Sequence, residues 1–183
     1  MKVKMDLHTH VWEAFNFQPP SLTIAEKVVA QIKSQGIDGI AITDHHNKEW
    51  SMEFKDMVEE HFPGEVIIIP GWEIEIRPPQ NPFDEYQVSE LFLDNGGVFR
   101  IYCHPGFYSP NIIIEENVHG IEIDNYIHNW HIRKPRVAEI AKEHDLMLVE
   151  VSDAHNLENI GLRYTEVDLD DLYSRAYMNW TEG

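Results

Sequence analysis

The sequence predicts an α/β domain built on a parallel sheet, and three observations carry that reading. Short apolar β runs alternate with amphipathic helical stretches along almost the whole chain. The first strand, helix and second strand follow one another through short connections, as a βαβ unit requires. Metal-compatible side chains also recur just after the β runs: His8 and His10, Asp44 and His45, Glu73, His104, Asp124 and Asn125, Asp153 and His155. That edge of a parallel sheet is where active sites are built, and in barrels its loops converge on one mouth.

The elements follow in order. Val3-Lys4-Met5 opens a strand that runs into Asp6-Leu7-His8-Thr9-His10. Side chains two apart on a strand share a side, so His8 and His10 form a pair of imidazoles able to hold a metal. Ser21 and Thr23 offer N-cap hydroxyls to a helix through Ile24, Val28, Val29 and Ile32, ended by Gly36. Ile37 to Thr43 is a buried strand leading to Asp44-His45-His46. A helix from Trp50 to His61 stops at Pro63-Gly64, and Val66 to Ile76 is a strand that puts Glu73, Glu75 and Arg77 on one side. A helix is expected from Phe83 to Asp94, then a strand from Val98 to Cys103 ending at His104. His119 to Ile123 is the next strand, Trp130 to His144 a helix, and Leu146 to Val151 a strand ending at Asp153 and His155. A short strand over residues 161–167 and a terminal helix from Asp168 to Met178 complete a single domain, residues 1–183.

Composition narrows the function classes. Hydrophobic content of 43% and aromatic content of 11% are those of a globular chain. No apolar run approaches the roughly 18–20 residues that span a bilayer, so no membrane association is expected. Cys103 is the single cysteine, which excludes an internal disulfide; the expected compartment is the cytoplasm. A net charge of −18 opposes binding to nucleic-acid phosphates and anionic lipids.

Taken together, the motifs resemble the PHP (polymerase and histidinol phosphatase) family. The matching stretches are Asp6-Leu7-His8-Thr9-His10, Ile42-Thr43-Asp44-His45, Pro70-Gly71-Trp72-Glu73, His104-Pro105-Gly106, Glu122-Ile123-Asp124-Asn125 and Ser152-Asp153-Ala154-His155. Gly161-Leu162-Arg163-Tyr164-Thr165 resembles a segment that commonly follows. The resemblance implies a distorted seven-stranded β/α barrel, TIM-like, holding two or three divalent ions and hydrolysing phosphate esters. It also implies a ligand set. His8, His10, Glu73 and Asp153 would hold one ion, Glu73 would bridge to a second at His104, and His45 with His155 would hold a third. The chain departs from the pattern twice. Phe15 and Asn16 stand where a further ligand is common, with Glu13 the only nearby carboxylate, and residues 74–103 contain no histidine; His46, His119, His128, His131 or water could fill in, and no spacing argument selects one.

The chemistry so implied is attack by a metal-activated water on a small phosphorylated substrate, with Zn, Mn or Fe suited to mixed imidazole and carboxylate donors. Asp6 and Asp44 are expected to hold imidazole N–H groups, and Asp44 is also a candidate for proton transfer. Arg77 and Arg163 are candidates for the substrate phosphate, whereas Cys103 reads as core. A PHP-like domain that binds metal without turnover is the alternative, beside a nuclease or another hydrolase on the same platform.

Overall fold

In the computed structural model, which describes residues 1–115 and 117–178, eight strands follow one another around a nearly closed barrel. The strands are β1 (Lys2–Thr9), β2 (Gly39–Ile42), β3 (Ile67–Ile76), β4 (Tyr86–Phe92), β5 (Gly97–Tyr102), β6 (Gly120–Asn125), β7 (Met147–Val151) and β8 (Thr165–Asp168). A short ninth, β9 (Tyr177–Met178), pairs with β5. The helices are α1 (Val11–Ala14), α2 (Leu22–Ser34), α3 (Lys48–His61), α4 (Lys134–His144) and α5 (Leu169–Arg175). Strands β1, β2 and β3 are parallel, as are β5, β6 and β7; β4 runs antiparallel between β3 and β5. Among the described residues, no helix is long and apolar enough to cross a membrane.

The barrel therefore has eight strands rather than seven, and two segments differ from expectation. Residues 83–94 do not form a helix, because Tyr86–Phe92 is a strand. Tyr86 and Val88 pack outward under α4, while Leu91 packs in the barrel interior. A strand buried on both faces loses the clean alternation that distinguishes it from a helix. The terminal helix ends at Arg175, and Tyr177–Met178 joins the sheet instead.

Three apolar layers hold the scaffold together. Inside the barrel, Met5, Leu7, Ile69, Leu91, Phe99, Ile101 and Val151 pack against Leu172 of α5. Outside it, α2 and α3 cover β2 through Val28, Ile32, Phe54, Ile40 and Ile42, and α4 covers β5 and β6 through Val137 and Ile140. Ser21 caps α2 and Asn47 caps α3, each accepting a hydrogen bond from a first-turn N–H.

Closure of the barrel places two of the predicted ligands. Strand β8 occupies the edge of β1 at Lys2–Met5, and the chain leaving β7 takes over the same edge further along. There the Asp153 N–H donates to the His8 carbonyl at 2.9 Å, and the His10 N–H donates to the Ala154 carbonyl at 2.8 Å. His8, His10 and Asp153 are thereby laced together by the backbone.

Candidate metal centre

Regular strand alternation does not by itself deliver the candidate ligands to one place. Val3, Met5 and Leu7 face the barrel interior, so strict alternation would turn His8 away. The β1–β2 register slips by one residue between Asp6 and Thr9, and this bulge lets Leu7 and His8 both face inward. A second slip, in β6 between Glu122 and Asp124, brings Glu122 and Asn125 to the same side. At the end of β5 the inward row Phe99-Ile101 leads to Cys103, which is buried within reach of His8 and Glu122. His104, next along, has a left-handed backbone (φ 25°) that turns it in as well. Asp153 is left-handed too, at φ 54°. Strained backbone held at ligand positions is an arrangement that functional sites retain.

The convergence is close. His8 Nε2 and His10 Nε2 lie 3.0 Å apart, and Asp153 Oδ1 is 3.4 Å from the first and 3.1 Å from the second. Two nitrogens each about 2.0–2.1 Å from a shared ion would be separated by about 2.9–3.4 Å, so the spacing fits a common cation. Glu73 joins this group with both oxygens. Its Oε2 is 3.5 Å from His8, 3.4 Å from His10 and 3.3 Å from His45, while its Oε1 is 3.2 Å from His104. All seven predicted ligands thus lie around one buried carboxylate: His45, His104 and His155 line the same cavity as Glu73 and Asp153, and His10 stacks on His155 at 4.0 Å.

Both departures from the family pattern have a side chain nearby. Glu13, on α1, forms with His10, His45 and His155 a set whose donor atoms all lie within 4.8 Å of one another. The sequence offered Glu13 only as the nearest carboxylate. Its selection depends on Asp44, which accepts the N–H groups of Trp12 (3.1 Å) and Glu13 (3.0 Å) and so fixes the first turn of α1 over the site. On the other side His128 stands 4.9 Å from the His104 ring, with Nε2 3.7 Å from Asp153 Oδ2. His46 pairs instead with Glu75, and His119 Nδ1 accepts the Arg100 N–H.

The imidazole-holding carboxylate is neither Asp6 nor Asp44. Asp6 accepts from Ser152 and from the Gly161 N–H, tying the ends of the chain's loops beneath the site. Glu122 takes the expected role: His8 Nδ1–H donates to it at 2.6 Å, as do the His104 N–H at 2.6 Å and Asn125 Nδ2 at 2.9 Å. Asn125 also donates to Asp153 Oδ2 at 3.1 Å, so one short network orients three of the predicted ligands. Of the two arginines, Arg77 is exposed and pairs with Glu85 at 2.7 Å, and Arg163 meets Asp124 at 3.3 Å. Neither lines the cavity with the histidines.

The electrostatics are compatible with a bound cation. Burial opposes the charged form of every group here, yet His8 and His104 hold Glu73 well below the usual carboxylate range. Asp153 is likewise lowered, against its burial, by His8 and His10. Burial also disfavours charge on His10, but Asp153 and Glu13 raise its pKa to about 9. His45 and His128 are lowered, chiefly by burial, and so present neutral rings. Burial pushes Asp6 and Asp44 up to about 6 despite the backbone N–H groups they accept. The buried Nδ1 of His104 has no hydrogen-bond partner among the described residues, and that of His10 has only the long contact to Glu13 Oε1 at 3.5 Å.

The comparisons bear on the scaffold. The chain superposes on a crystal structure of a "putative metal-dependent phosphoesterase" from Bifidobacterium adolescentis with a TM-score of 0.69, at 13% identity over 94% of this chain and 96% of the other. It superposes on PsfC from Pseudomonas syringae with a TM-score of 0.60, at 14% identity over 98% and 92%. At these identities the likeness is one of fold. No family model and no curated protein sequence matches the chain.

Two predictions follow from the geometry. Glu122→Gln sets an amide N–H against the donors it now accepts, and should weaken divalent-metal affinity about 10- to 100-fold while leaving the fold intact. Calorimetric titration with Zn²⁺, alongside circular dichroism, reads both; unchanged affinity contradicts the role given to Glu122. A protonated imidazole has no lone pair for an ion, so below pH 9 metal uptake must expel the His10 proton. Apparent affinity should therefore climb as pH rises from 6.5 towards 9, with proton release seen as a dependence of binding heat on buffer ionisation enthalpy. Flat affinity across that window would show His10 to be uncharged or uninvolved.

Proposed function

We propose that the protein is a metal-dependent phosphoesterase of the PHP type, hydrolysing the phosphate ester of a small metabolite. The observation that carries this reading is the Glu73 carboxylate, whose two oxygens face different histidines, His104 on one side and His8, His10 and His45 on the other. His8, His10 and Asp153 with Glu73 would hold one divalent ion, and His104 and His128 with Glu73 a second. Glu13, His45 and His155 supply donors for a third. Mixed nitrogen and oxygen donors suit Zn, Mn or Fe better than Mg. Ions held in this way lower the pKa of water to about 7 and neutralise charge on phosphoryl oxygens.

The remaining work belongs to the protein. Glu122 and Asn125 keep His8 and Asp153 in their orientations, and Asp44 keeps Glu13 over the cavity. Gln87 and Tyr108 line the cavity beside His104. The cavity among the ligands is about 180 Å³, in keeping with a phosphate group rather than a whole substrate. The same metal platform also serves nucleases, but a chain of net charge −18 is a poor host for a polyanion.

Hydrolysis of p-nitrophenyl phosphate by Mn²⁺- or Zn²⁺-loaded protein tests the proposal against Asp153→Asn. Asparagine tolerates the left-handed backbone at this position, so the variant removes charge without forcing a new conformation. Turnover should depend on metal and fall by roughly 100-fold or more in the variant. A folded, metal-loaded wild type that cleaves no phosphate ester, nucleotides and short oligonucleotide ends included, would leave a metal-binding domain without phosphoesterase activity.

A further inference from the structure

The cavity beside the candidate centre is larger than the one within it, about 540 Å³ against about 180 Å³. Its lining includes Pro105, Gly106, Trp130, His131, Arg133 and Arg136. It is a direct neighbour of the ligands. Pro105 and Gly106 immediately follow His104, and Gly106 is pressed on the Asn129–His131 turn: a Cβ there would lie 2.8 Å from the His131 carbonyl oxygen. The Phe107 ring is the partition, edge-on to His104 at 5.2 Å, His128 at 4.6 Å and His131 at 4.9 Å.

The lining has the opposite charge to the molecule. In a chain of net charge −18, two arginines and a histidine line this cavity, and among the described residues no carboxylate does. Arg136 meets Glu139 at 3.3 Å in an exposed pair, while Arg133 forms no ion pair among the described residues. Both stand at the start of α4, whose first turn no side chain caps, so the positive end of the helix adds to the guanidinium charge. His131 Nε2 is buried without a hydrogen-bond partner among the described residues. The Trp130 ring lies against His131, centroids 3.5 Å apart and tilted by 34°, and is 81% exposed, so most of a large apolar ring is uncovered.

Guanidinium groups bind oxyanions through paired N–H donors, and an exposed indole offers a flat apolar wall next to them. We infer that this cavity is a second anion subsite, in which Arg133 and Arg136 hold an anionic group at the far end of the substrate while its scissile phosphate lies at the Glu73 centre. The inference rests on the phosphoesterase reading and narrows it to phosphate esters carrying a second phosphate or carboxylate. Trp130 covers the linker between the two anionic ends.

Kinetics on the metal-loaded protein separate the two ideas. The substrates are p-nitrophenyl phosphate, with one anionic end, and two series of increasing length, alkanediol bisphosphates and phosphorylated hydroxyalkanoates. A length optimum in either series is expected, and comparing the series tells a second phosphate from a carboxylate. In the Arg133→Gln/Arg136→Gln double variant, KM for the best two-anion substrate should rise roughly tenfold or more, while kinetics on p-nitrophenyl phosphate stay unchanged. Equal effects on both substrate types, or none on either, overturn the subsite. If the wild type cleaves no phosphate ester, calorimetry with inorganic pyrophosphate still decides. Binding that is weakened roughly tenfold in the double variant keeps the anion site and removes the phosphoesterase reading, whereas binding indifferent to the two arginines removes the site.

Discussion

The structure turns on one buried carboxylate set among imidazoles. Glu73 sits 1% exposed with His8, His10, His45 and His104 around it, and Asp153 and Glu122 close by. Burying several carboxylates together is costly unless positive charge accompanies them. Protonated histidines supply that charge in the metal-free chain, which is why His10 is pushed up to about 9 while Glu73 and Asp153 are driven down. A divalent ion concentrates the same charge at one point and needs the same donors deprotonated. Under the proposed function the site would exchange these protons for metal, and its acidity would belong to that exchange.

Much of this was legible in the sequence, for a simple reason. In a parallel sheet the strand ends share one edge, so residues distant in the chain but alike in position meet in space. Position after a β run marked His8, His10, His45, Glu73, His104, Asp153 and His155 together with Asp44, Asp124 and Asn125, and the PHP resemblance singled out the seven as ligands. What the sequence hid is how the side chains are aimed. The bulges in β1 and β6 and the left-handed backbone at His104 override the alternation on which a strand argument depends, and none has a local signature in these residues. Glu122 was visible as a strand-end residue, but its role as the acceptor from His8 requires the β6 bulge.

The strand misread as a helix has a different cause. Gln87, Ser89 and Glu90 are polar yet buried: Ser89 lies against Cys103, and Glu90 is neutralised by Arg100. With polar residues on buried faces, Val88, Leu91 and Phe92 are left at i, i+3 and i+4, a helical spacing. Tertiary pairing with β3 and β5 decides the outcome. Glu13 and His128 are visible in the sequence but not selected by it, since Glu13 stands on the short helix α1 and His128 just before the Asn129–His131 turn, and no periodicity aims either at the site.

Anomalous scattering from crystals grown with Zn²⁺ or Mn²⁺ tests the central claim most directly. Peaks on both sides of Glu73, about 3.5–4 Å apart and within bonding distance of its two oxygens, are the predicted result. Crystals of the folded, metal-saturated protein with no peak in contact with Glu73 would contradict it.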